Sequence, residues 1–262
     1  MSDRYALIGN PVAHSKSPRI HAAFARATGE DIDYGLLEAP LDGFALAVER
    51  WRSAGGRGLN VTLPFKNEAF GLCHKVSERA RLAQAVNTLR FEDSFGDNTD
   101  GVGLVRDFSD HLKVPLAGKT VVLLGAGGAA QGVLGALLEA GVARLVIANR
   151  TLSRAQSLAQ RFSGVSACGY DALPSAEVII NATSAGLADA APPLPPGLLH
   201  DGVLAYDMVY GRDTPFLAAA RAAGARACDG LGMLVEQAAE SFLIWRGVRP
   251  ATRPVLASLR GA

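Results

Sequence analysis

Short apolar runs alternate with amphipathic segments over the first ~65 residues of the chain. The runs YALIGN (5–10), YGLLEA (34–39) and GLNVTL (58–63) are typical of short buried strands. The segments 17–29 and 41–56 have the spacing of amphipathic helices, and each ends in glycine. This alternation predicts an α/β layer in which the strands are mostly parallel.

The first predicted helix has recognisable ends. Ser17 is expected to be its N-cap, Pro18 stands at the first helical position, and Gly29 is expected to stop the helix. Lys66 follows the third predicted strand and is expected at its end. A charged side chain there is either an ordinary surface lysine or a functional group.

A second alternation begins near residue 118. The segment KTVVLLGAGGAAQGVLGALLEAG (119–141) predicts a strand, a glycine-rich turn and a helix. Its uncharged part contains five glycines, so a strand and a helix explain it better than a membrane span. Prolines between 192 and 196 predict that 185–202 is a surface loop. Further strands are predicted at 143–150, 176–183 and 202–210, and further helices at 153–162 and 230–247.

Composition and charge limit the class of protein. The chain has 262 residues, of which 49% are hydrophobic and 19% charged, which fits a compact protein of one large domain or two smaller ones. The two successive alternations favour two α/β domains with a cleft between them. The net charge of +1 gives no indication of nucleic-acid or membrane binding. The three cysteines are scattered, and neither a disulfide framework nor a metal site is expected. The N-terminus lacks the order of a signal peptide, so a cytoplasmic protein is expected.

The glycine-rich turn has the pattern of a dinucleotide-binding loop. Gly125, Gly127 and Ala130 form G-x-G-x-x-A between a predicted strand and a predicted helix. Gly125 would allow the tight turn, Gly127 would let a pyrophosphate approach the backbone, and Ala130 would let the helix pack closely. A purely structural turn is the alternative.

The end of the next strand favours NADP over NAD. NAD sites usually have an acidic residue here, which holds the ribose hydroxyl, but this chain has Asn149. Arg150, Thr151 and Arg154 offer guanidinium and hydroxyl donors for a 2'-phosphate. The alternative is a solvated basic start of a helix.

Nine motifs in order resemble the shikimate dehydrogenase family, NADP-linked enzymes of aromatic amino-acid biosynthesis. The resemblance extends from residue 5 to about residue 250. The motifs are GNPVAHSKSP (9–18), NVTLPFK (60–66), AVNT (85–88), GDNTDG (96–101), GAGGAA (125–130), NRTLSRA (149–155), INATSAG (180–186), YDMVY (206–210) and DGLGMLVEQAA (229–239).

The resemblance implies NADPH-dependent reduction of 3-dehydroshikimate to shikimate, and it implies roles for individual residues. Lys66 and Asp100 match the catalytic pair, which also contacts the substrate. Further substrate contacts are implied for Ser15, Ser17, Asn60, Thr62, Asn87, Tyr210 and Gln237. Cofactor contacts are implied for Gly125, Gly127, Gly128, Ala129, Ala130, Asn149, Arg150, Thr151, Arg154, Met208 and Gly230.

The resemblance also implies a discontinuous first domain. Gln237 matches a substrate contact, so residues 1–101 and 234–262 are expected to form the substrate domain. Residues 102–233 are expected to form the Rossmann-type NADP domain. The active site would then lie between the domains, in a monomer or a homodimer.

The chemistry of the residues is consistent with these roles. Reduction of a ketone places negative charge on its oxygen, and the Lys66 ammonium could stabilise that charge and donate the proton. The hydroxyls of Ser15 and Ser17 could hold a carboxylate, although simple helix capping is the alternative for Ser17. Asparagines at strand ends also close turns, which is the alternative for Asn60 and Asn87.

Two other functions remain as alternatives. A quinate/shikimate dehydrogenase with relaxed choice of substrate or cofactor would use the same scaffold. A non-catalytic NADP-binding regulatory module would tolerate loss of Lys66 or Asp100, but both are present. Oxidation of shikimate is expected to keep rising above pH 7, because that direction needs a base and releases a proton.

Overall fold

A computed structural model describes residues 2–183 and 190–261 of the chain. It divides into two compact units. The first comprises Met1–Gly103 with Leu234–Ala262, and the second comprises Leu104–Met233.

The first unit is built on a six-stranded mixed sheet in the order β2–β1–β3–β5–β6–β4 within the described residues. β1 pairs in parallel with β2 and β3, whereas β5 is antiparallel to both β3 and β6. The predicted parallel part is confirmed, and the short antiparallel hairpin is an addition to it. The strands are β1 (Asp3–Gly9), β2 (Ile32–Glu38), β3 (Gly56–Val61), β4 (Lys75–Val76), β5 (Thr88–Arg90) and β6 (Phe95–Asp97).

Helices cover this sheet and bury its apolar side chains. Phe44 and Phe65 stack at 4.7 Å between ring centroids and pack with Ile8 and Leu59 into the core. The helices of the first unit are α1 (Ser17–Thr28), α2 (Phe44–Ser53), α3 (Lys66–Gly71), α4 (Glu78–Ala83) and α10 (Arg253–Arg260). Two further helices, α5 (Asp100–Arg106) and α9 (Leu231–Arg246), continue from one unit into the other.

Two local predictions about the first unit were wrong. Lys16 is the N-cap of α1, and Ser17 is its first helical residue. The hydroxyl of Ser15 accepts the backbone N–H of Ser17 at 3.2 Å, so the upstream serine serves the helix start. Lys66 does not end a strand, because β3 stops at Val61 and Lys66 begins α3. The intervening Pro64 lacks an N–H and cannot extend the ladder.

The second unit is a doubly wound α/β sheet of six parallel strands within the described residues. Its order is β12–β11–β10–β7–β8–β9, which is the Rossmann order with the crossover between β7 and β10. The predicted Rossmann-type fold is confirmed. The strands are β7 (Thr120–Leu124), β8 (Arg144–Ala148), β9 (Val165–Cys168), β10 (Val178–Asn181), β11 (Leu204–Asp207) and β12 (Arg226–Asp229). The described α-helices that lie wholly in this unit are α6 (Gly128–Glu139), α7 (Leu152–Ala159) and α8 (Pro215–Ala222).

Position in this sheet explains which strands the sequence predicted. The inner strands β7 and β10 are almost wholly buried and therefore read as continuous apolar runs. The edge strands β9 and β12 are half-exposed and carry no such run, so they were not predicted. Of the predicted loop 185–202, residues 185–189 lie outside the described residues, as does the end of the INATSAG motif. Residues 190–202 form neither helix nor strand.

The described part of the chain contains neither a membrane-spanning helix nor a metal-binding cluster. No helix there is long and apolar enough to cross a membrane. No group of three or more His, Cys, Asp or Glu side chains there could hold a metal ion.

Candidate active site

Lys66 and Asp100 form an ion pair in the first unit. Nζ of Lys66 donates to Oδ2 of Asp100 at 2.5 Å. Each residue begins a helix, Lys66 in α3 and Asp100 in α5, so the backbone fixes both side chains at their roots. The lysine side chain is 14% exposed and the aspartate side chain 8%. The pair is therefore largely withdrawn from solvent, which strengthens its attraction and limits its motion.

The side-chain amide of Asn87 holds the second oxygen of Asp100. Nδ2 of Asn87 donates to Oδ1 of Asp100 at 2.9 Å. Oδ1 of Asn87 accepts the backbone N–H of Thr99, also at 2.9 Å. A backbone N–H can only donate, so the amide oxygen must face Thr99 and the amide nitrogen must face Asp100. Both carboxylate oxygens of Asp100 thus accept a fixed donor.

The chain leading to Asp100 is anchored as well. Arg79 forms a fork with Asp97, with nitrogen–oxygen distances of 2.8 and 2.7 Å. The side-chain oxygen of Asn98 accepts the backbone N–H of Asp100 at 3.1 Å. Sequence reasoning selected neither Asp97 nor Asn98, although both lie in the quoted GDNTDG motif. Arg79 lies in no quoted motif.

Asn60 is enclosed by polar side chains from three other elements. The Tyr34 hydroxyl donates to its Oδ1 at 2.8 Å. Its Nδ2 donates to Oγ of Ser241 at 2.9 Å and lies 3.2 Å from Oγ1 of Thr88. Sequence reasoning missed Tyr34, Thr88 and Ser241. Ser241 is 181 positions from Asn60 along the chain, so no local pattern could have paired them.

Gln237 joins the same group of side chains from α9. Its Oε1 lies 3.4 Å from both Nδ2 of Asn87 and Oγ1 of Thr99. Its Nε2 donates to the backbone carbonyl of Leu234 at 2.9 Å. Hydrogen bonds or shared polar neighbours therefore link five of the predicted site residues: Asn60, Lys66, Asn87, Asp100 and Gln237.

Two more predicted positions follow neighbouring parallel strands. Ser15 and Ser17 follow β1, and their hydroxyls lie 3.1 Å apart at the start of α1. Thr62 follows β3, and its N–H donates to the carbonyl of Ile8 in β1 at 2.9 Å. A Cβ on Gly9 would lie 2.3 Å from the methyl group of Thr62, so only glycine permits this approach. The carboxyl ends of β1 and β3 thus place hydroxyl groups at one edge of the sheet.

The tyrosine that donates to Asn60 packs against a neutral histidine. The ring of His21 stacks on the ring of Tyr34 at 4.0 Å between centroids. His21 is fully buried in an aromatic group that includes Phe24 and Phe242. Burial lowers the pKa of His21 to about 3, so the ring carries no charge at neutral pH. It therefore supports the tyrosine that holds Asn60 without adding a charge.

The glycine-rich loop follows β7 in the second unit. Gly125 has a φ of +106°, and its N–H donates to the carbonyl of Ala148 at 2.7 Å. A Cβ on Gly125 would lie 3.1 Å from the carbonyl oxygen of Ala182. A Cβ on Gly127 would have no neighbour within 4 Å, which leaves the loop open on that side.

The loop leads directly into α6. Gly128, Ala129 and Ala130 form the first turn of this helix, where backbone N–H groups have no partner within the helix. The first turn has no acidic side chain, and Ala130 is fully buried. Its amides and the positive end of the helix dipole fit a pyrophosphate.

Asn149 follows β8, at the same edge of the sheet as the glycine-rich loop. Its side-chain N–H donates to the carbonyl of Thr151 at 2.9 Å, which shapes the turn into α7. Arg150, Thr151 and Arg154 are exposed. Two exposed guanidiniums with no carboxylate between them suit the 2'-phosphate of NADP, and the acidic residue that usually holds the ribose hydroxyl of NAD is missing here.

The remaining predicted positions also lie in the second unit. Met208 follows β11 and Gly230 follows β12, so both lie at carboxyl ends of adjacent parallel strands. A Cβ on Gly230 would lie 2.5 Å from the carbonyl oxygen of Met208. Tyr210 is half-exposed two residues after Met208. It belongs to the second unit, whereas the other predicted substrate positions belong to the first.

The sheet order and the glycine-rich loop at its first strand place the second unit in the class of Rossmann-type dinucleotide-binding folds. Three family models match the chain: shikimate dehydrogenase substrate binding domain over residues 7–89, shikimate / quinate 5-dehydrogenase over 109–188, and shikimate 5'-dehydrogenase C-terminal domain over 230–260. The chain belongs to the shikimate dehydrogenase family.

Individual relatives are similar over almost the whole length. Shikimate dehydrogenase (NADP(+)) of Methylobacillus flagellatus is 58% identical, over 99% of this chain and 100% of that protein. An Ael1 enzyme from Pseudomonas putida superposes with a TM-score of 0.92 at 49% identity, and 98% of each chain is covered. Shikimate 5-dehydrogenase from Thermus thermophilus, solved in complex with NADP(H) and shikimate, has a TM-score of 0.89 at 36% identity and 98% coverage of each chain.

Proposed function

We propose that this protein is an NADP-dependent shikimate dehydrogenase, which reversibly reduces 3-dehydroshikimate to shikimate. The observation that carries the proposal is the Lys66–Asp100 ion pair, largely withdrawn from solvent, with Asn87 on the second carboxylate oxygen. Such a group can hold and deliver one proton at a fixed place. Membership of the shikimate dehydrogenase family supplies the substrate class.

Lys66 is proposed as the acid in reduction and the base in oxidation. Its Nζ holds the proton that passes to the oxygen of the substrate ketone, and its charge stabilises negative charge on that oxygen. Asp100 orients the ammonium, because Oδ2 accepts from Nζ and leaves the other N–H groups free to turn toward the substrate. Asn87 keeps Asp100 from rotating away.

The other first-unit residues are proposed to bind the substrate. The hydroxyls of Ser15 and Ser17 lie at the start of α1, where a helix dipole favours a carboxylate. Thr62, Asn60 and Gln237 would receive ring hydroxyls, with Gln237 close to Asn87. Tyr210 of the second unit is proposed as a further contact on the strength of its motif.

NADP is the proposed cofactor, and when bound it supplies or accepts the hydride. Gly125, Gly127, Gly128, Ala129 and Ala130 would hold its pyrophosphate on the backbone amides of the loop and of α6. The 2'-phosphate would lie with Asn149, Arg150, Thr151 and Arg154, and the other half of the molecule with Met208 and Gly230. The absence of an acidic residue after β8 favours NADP over NAD.

The test is nicotinamide absorbance at mildly alkaline pH, with shikimate or quinate paired with NADP or NAD. Of these four pairs, only shikimate with NADP is expected to give fast reduction of the nicotinamide. Comparable rates with quinate or NAD would instead indicate an enzyme with relaxed specificity, which the shikimate / quinate family model also covers. No turnover in any pair, with NADP still bound, would support a regulatory module.

Location and assembly are proposed on narrower grounds. All three cysteines are free thiols, as expected in a reducing compartment, so we place the enzyme in the cytoplasm. A monomer or a homodimer is proposed. Light scattering at two protein concentrations would distinguish these states, and a larger assembly would contradict both.

A further inference from the structure

Asp107 is a fully buried carboxylate in the second unit that none of the sequence motifs includes. It begins the π-helical turn Asp107–Leu112, which follows α5. Its Oδ2 accepts two hydrogen bonds. The Tyr206 hydroxyl donates at 2.6 Å, and the backbone N–H of Met233 donates at 3.1 Å.

These two donors belong to the chain segments that carry two proposed cofactor positions. Tyr206 lies in β11, two residues before Met208. Met233 lies in the first turn of α9, three residues after Gly230. One carboxylate oxygen of Asp107 therefore ties the end of β11 to the start of α9. A backbone hydrogen bond from Gly230 to Val209 at 3.2 Å joins the same two segments.

Space around this junction is so limited that two glycines are required. A Cβ on Gly232 would lie 1.9 Å from Oδ1 of Asp107. A Cβ on Gly230 would lie 2.5 Å from the carbonyl oxygen of Met208. The G-L-G sequence at 230–232 therefore has a steric cause, since each glycine admits a group that any side chain would displace.

We infer that Asp107 is a positioning residue for the nicotinamide half of NADP, acting through the backbone at Met208 and Gly230. A Rossmann sheet consists of two mononucleotide-binding halves, and the glycine-rich loop belongs to the half that begins at β7. The ends of β11 and β12 belong to the other half, so Met208 and Gly230 would lie beside the nicotinamide. This inference rests on the proposed function, because it requires that NADP binds here.

Tyr206 suits the role of a permanent donor. It is fully buried, and burial raises its pKa well above the usual range. Its hydroxyl therefore keeps its proton at any pH at which the enzyme would work. The hydrogen bond from the Tyr206 hydroxyl to the Asp107 carboxylate is charge-assisted, which makes it stronger than a neutral one.

The principal test compares Asp107→Asn with Asp110→Asn in the full-length chain. Asp107→Asn replaces the carboxylate that accepts hydrogen bonds from Tyr206 and Met233 with an amide. Asp110 is the matched control, because it is an exposed carboxylate on the same π-helical turn. Displacing the nicotinamide by a fraction of an ångström should lower kcat about ten- to a hundredfold. The KM for shikimate should change less than about twofold, because ground-state substrate contacts are retained. Asp110→Asn should match the wild type.

The isotope effect separates positioning from a general loss of stability. With NADPH deuterated at the transferred position, Asp107→Asn should show a larger primary isotope effect on kcat than the wild type, because hydride transfer becomes slower relative to product release. Gly232→Ala, which forces the Asp107 carboxylate aside, and Tyr206→Phe should shift it in the same direction. These two variants decide the question if Asp107→Asn does not fold.

The inference would be overturned if folded Asp107→Asn had the wild-type kcat, isotope effect and Kd for NADP. The same result in both Gly232→Ala and Tyr206→Phe would also overturn it. Either outcome would leave the proposed function intact. Wild-type protein that binds no NADP by calorimetry would overturn the proposed function, and the inference with it.

Discussion

Asn87 and Lys66 hold opposite oxygens of one carboxylate. Nδ2 of Asn87 donates to Oδ1 of Asp100 at 2.9 Å, and Nζ of Lys66 donates to Oδ2 at 2.5 Å. Neither donor can move without leaving an oxygen of a nearly buried carboxylate unsatisfied, which is costly. Asp100 therefore orients the Lys66 ammonium, and Asn87 in turn fixes the orientation of Asp100.

Replacing Lys66 should slow turnover strongly and leave cofactor binding intact. Lys66→Met keeps the length of the side chain but removes the charge and the proton. We expect kcat to fall about 10²- to 10⁴-fold, the usual contribution of a positioned acid or base. The Kd for NADP, measured by calorimetry, should stay within about twofold of the wild type.

Lys75→Met is the matched control, because Lys75 is an exposed lysine in β4. It should have wild-type kcat. If Lys66→Met retained more than about a tenth of the wild-type kcat, Lys66 would not be the acid–base group.

Asn87→Asp should inhibit the enzyme in a pH-dependent way. The new carboxylate can still accept the N–H of Thr99, but it faces Oδ1 of Asp100 without a proton to donate. Like-charge repulsion from Asp100 raises the pKa of the introduced carboxyl group, so at low pH this group can be protonated and donate the hydrogen bond again. The loss of kcat relative to wild type should therefore be larger at pH 8 than at pH 6.

Asn67→Asp makes the same substitution at an exposed position of α3. The ratio of its kcat to that of the wild type should be the same at both pH values. A pH-independent loss in Asn87→Asp would contradict the proposed contact with Asp100.

The guanidiniums after β8 should select NADP. Arg150→Ala and Arg154→Ala should each raise the Kd for NADP about tenfold, the equivalent of one charge-assisted hydrogen bond. Binding of NAD, which lacks the 2'-phosphate, should be nearly unchanged. Arg144→Ala removes an exposed arginine from the other end of β8 and should affect neither cofactor. Equal weakening for NADP and NAD would refute the assignment of the 2'-phosphate.

His21 should make the first unit acid-sensitive. Its pKa is about 3 in the folded protein and about 6.5 in an unfolded chain, so the unfolded chain binds more protons between these values. The stabilising effect of a neutral His21 is complete above about pH 6.5 and is lost as the pH falls toward 3. The free energy of unfolding should fall by about 1.4 kcal/mol per pH unit in this window from His21 alone.

His21→Phe should remove that part of the pH dependence, as measured by urea unfolding at pH 7 and pH 5. Phe24→Leu perturbs the same aromatic group without removing a titratable side chain. Its destabilisation should be equal at the two pH values. An unchanged slope in His21→Phe would mean that His21 is not the source.

Local patterns in the sequence carried much of the fold but not its edges. The apolar runs of β1, β7 and β10 are continuous because these strands are buried on both faces. The three-residue strands β5 and β6 are too short for a recognisable period, and their antiparallel pairing was not predicted. The N-cap of α1 was misplaced by one residue, because Lys16 occupies the cap position without a side-chain capping hydrogen bond and is not a residue type that marks a helix start.

The candidate site divides in a similar way. Lys66 and Asp100 were available from motifs, and their proposed roles remain predictions. Tyr34 and Ser241 have no such signal, since each reaches Asn60 only after distant parts of the chain have folded together. The hydrogen-bond partners of a buried polar side chain are set by the residues that surround it in the fold. Those residues come from distant parts of the sequence, so no local pattern reveals them.

The passage of α9 back into the first unit has a consequence for the order of events during synthesis. All residues of the second unit, Leu104–Met233, emerge from the ribosome before Gln237 and Ser241 do. The second sheet can therefore form while the first unit still lacks its last two helices, as domains fold in the order of their synthesis. Until α9 arrives, Asn60 and Thr88 have no Ser241, and Thr99 has no Gln237. A nascent chain would be able to bind cofactor before its proposed substrate pocket was complete.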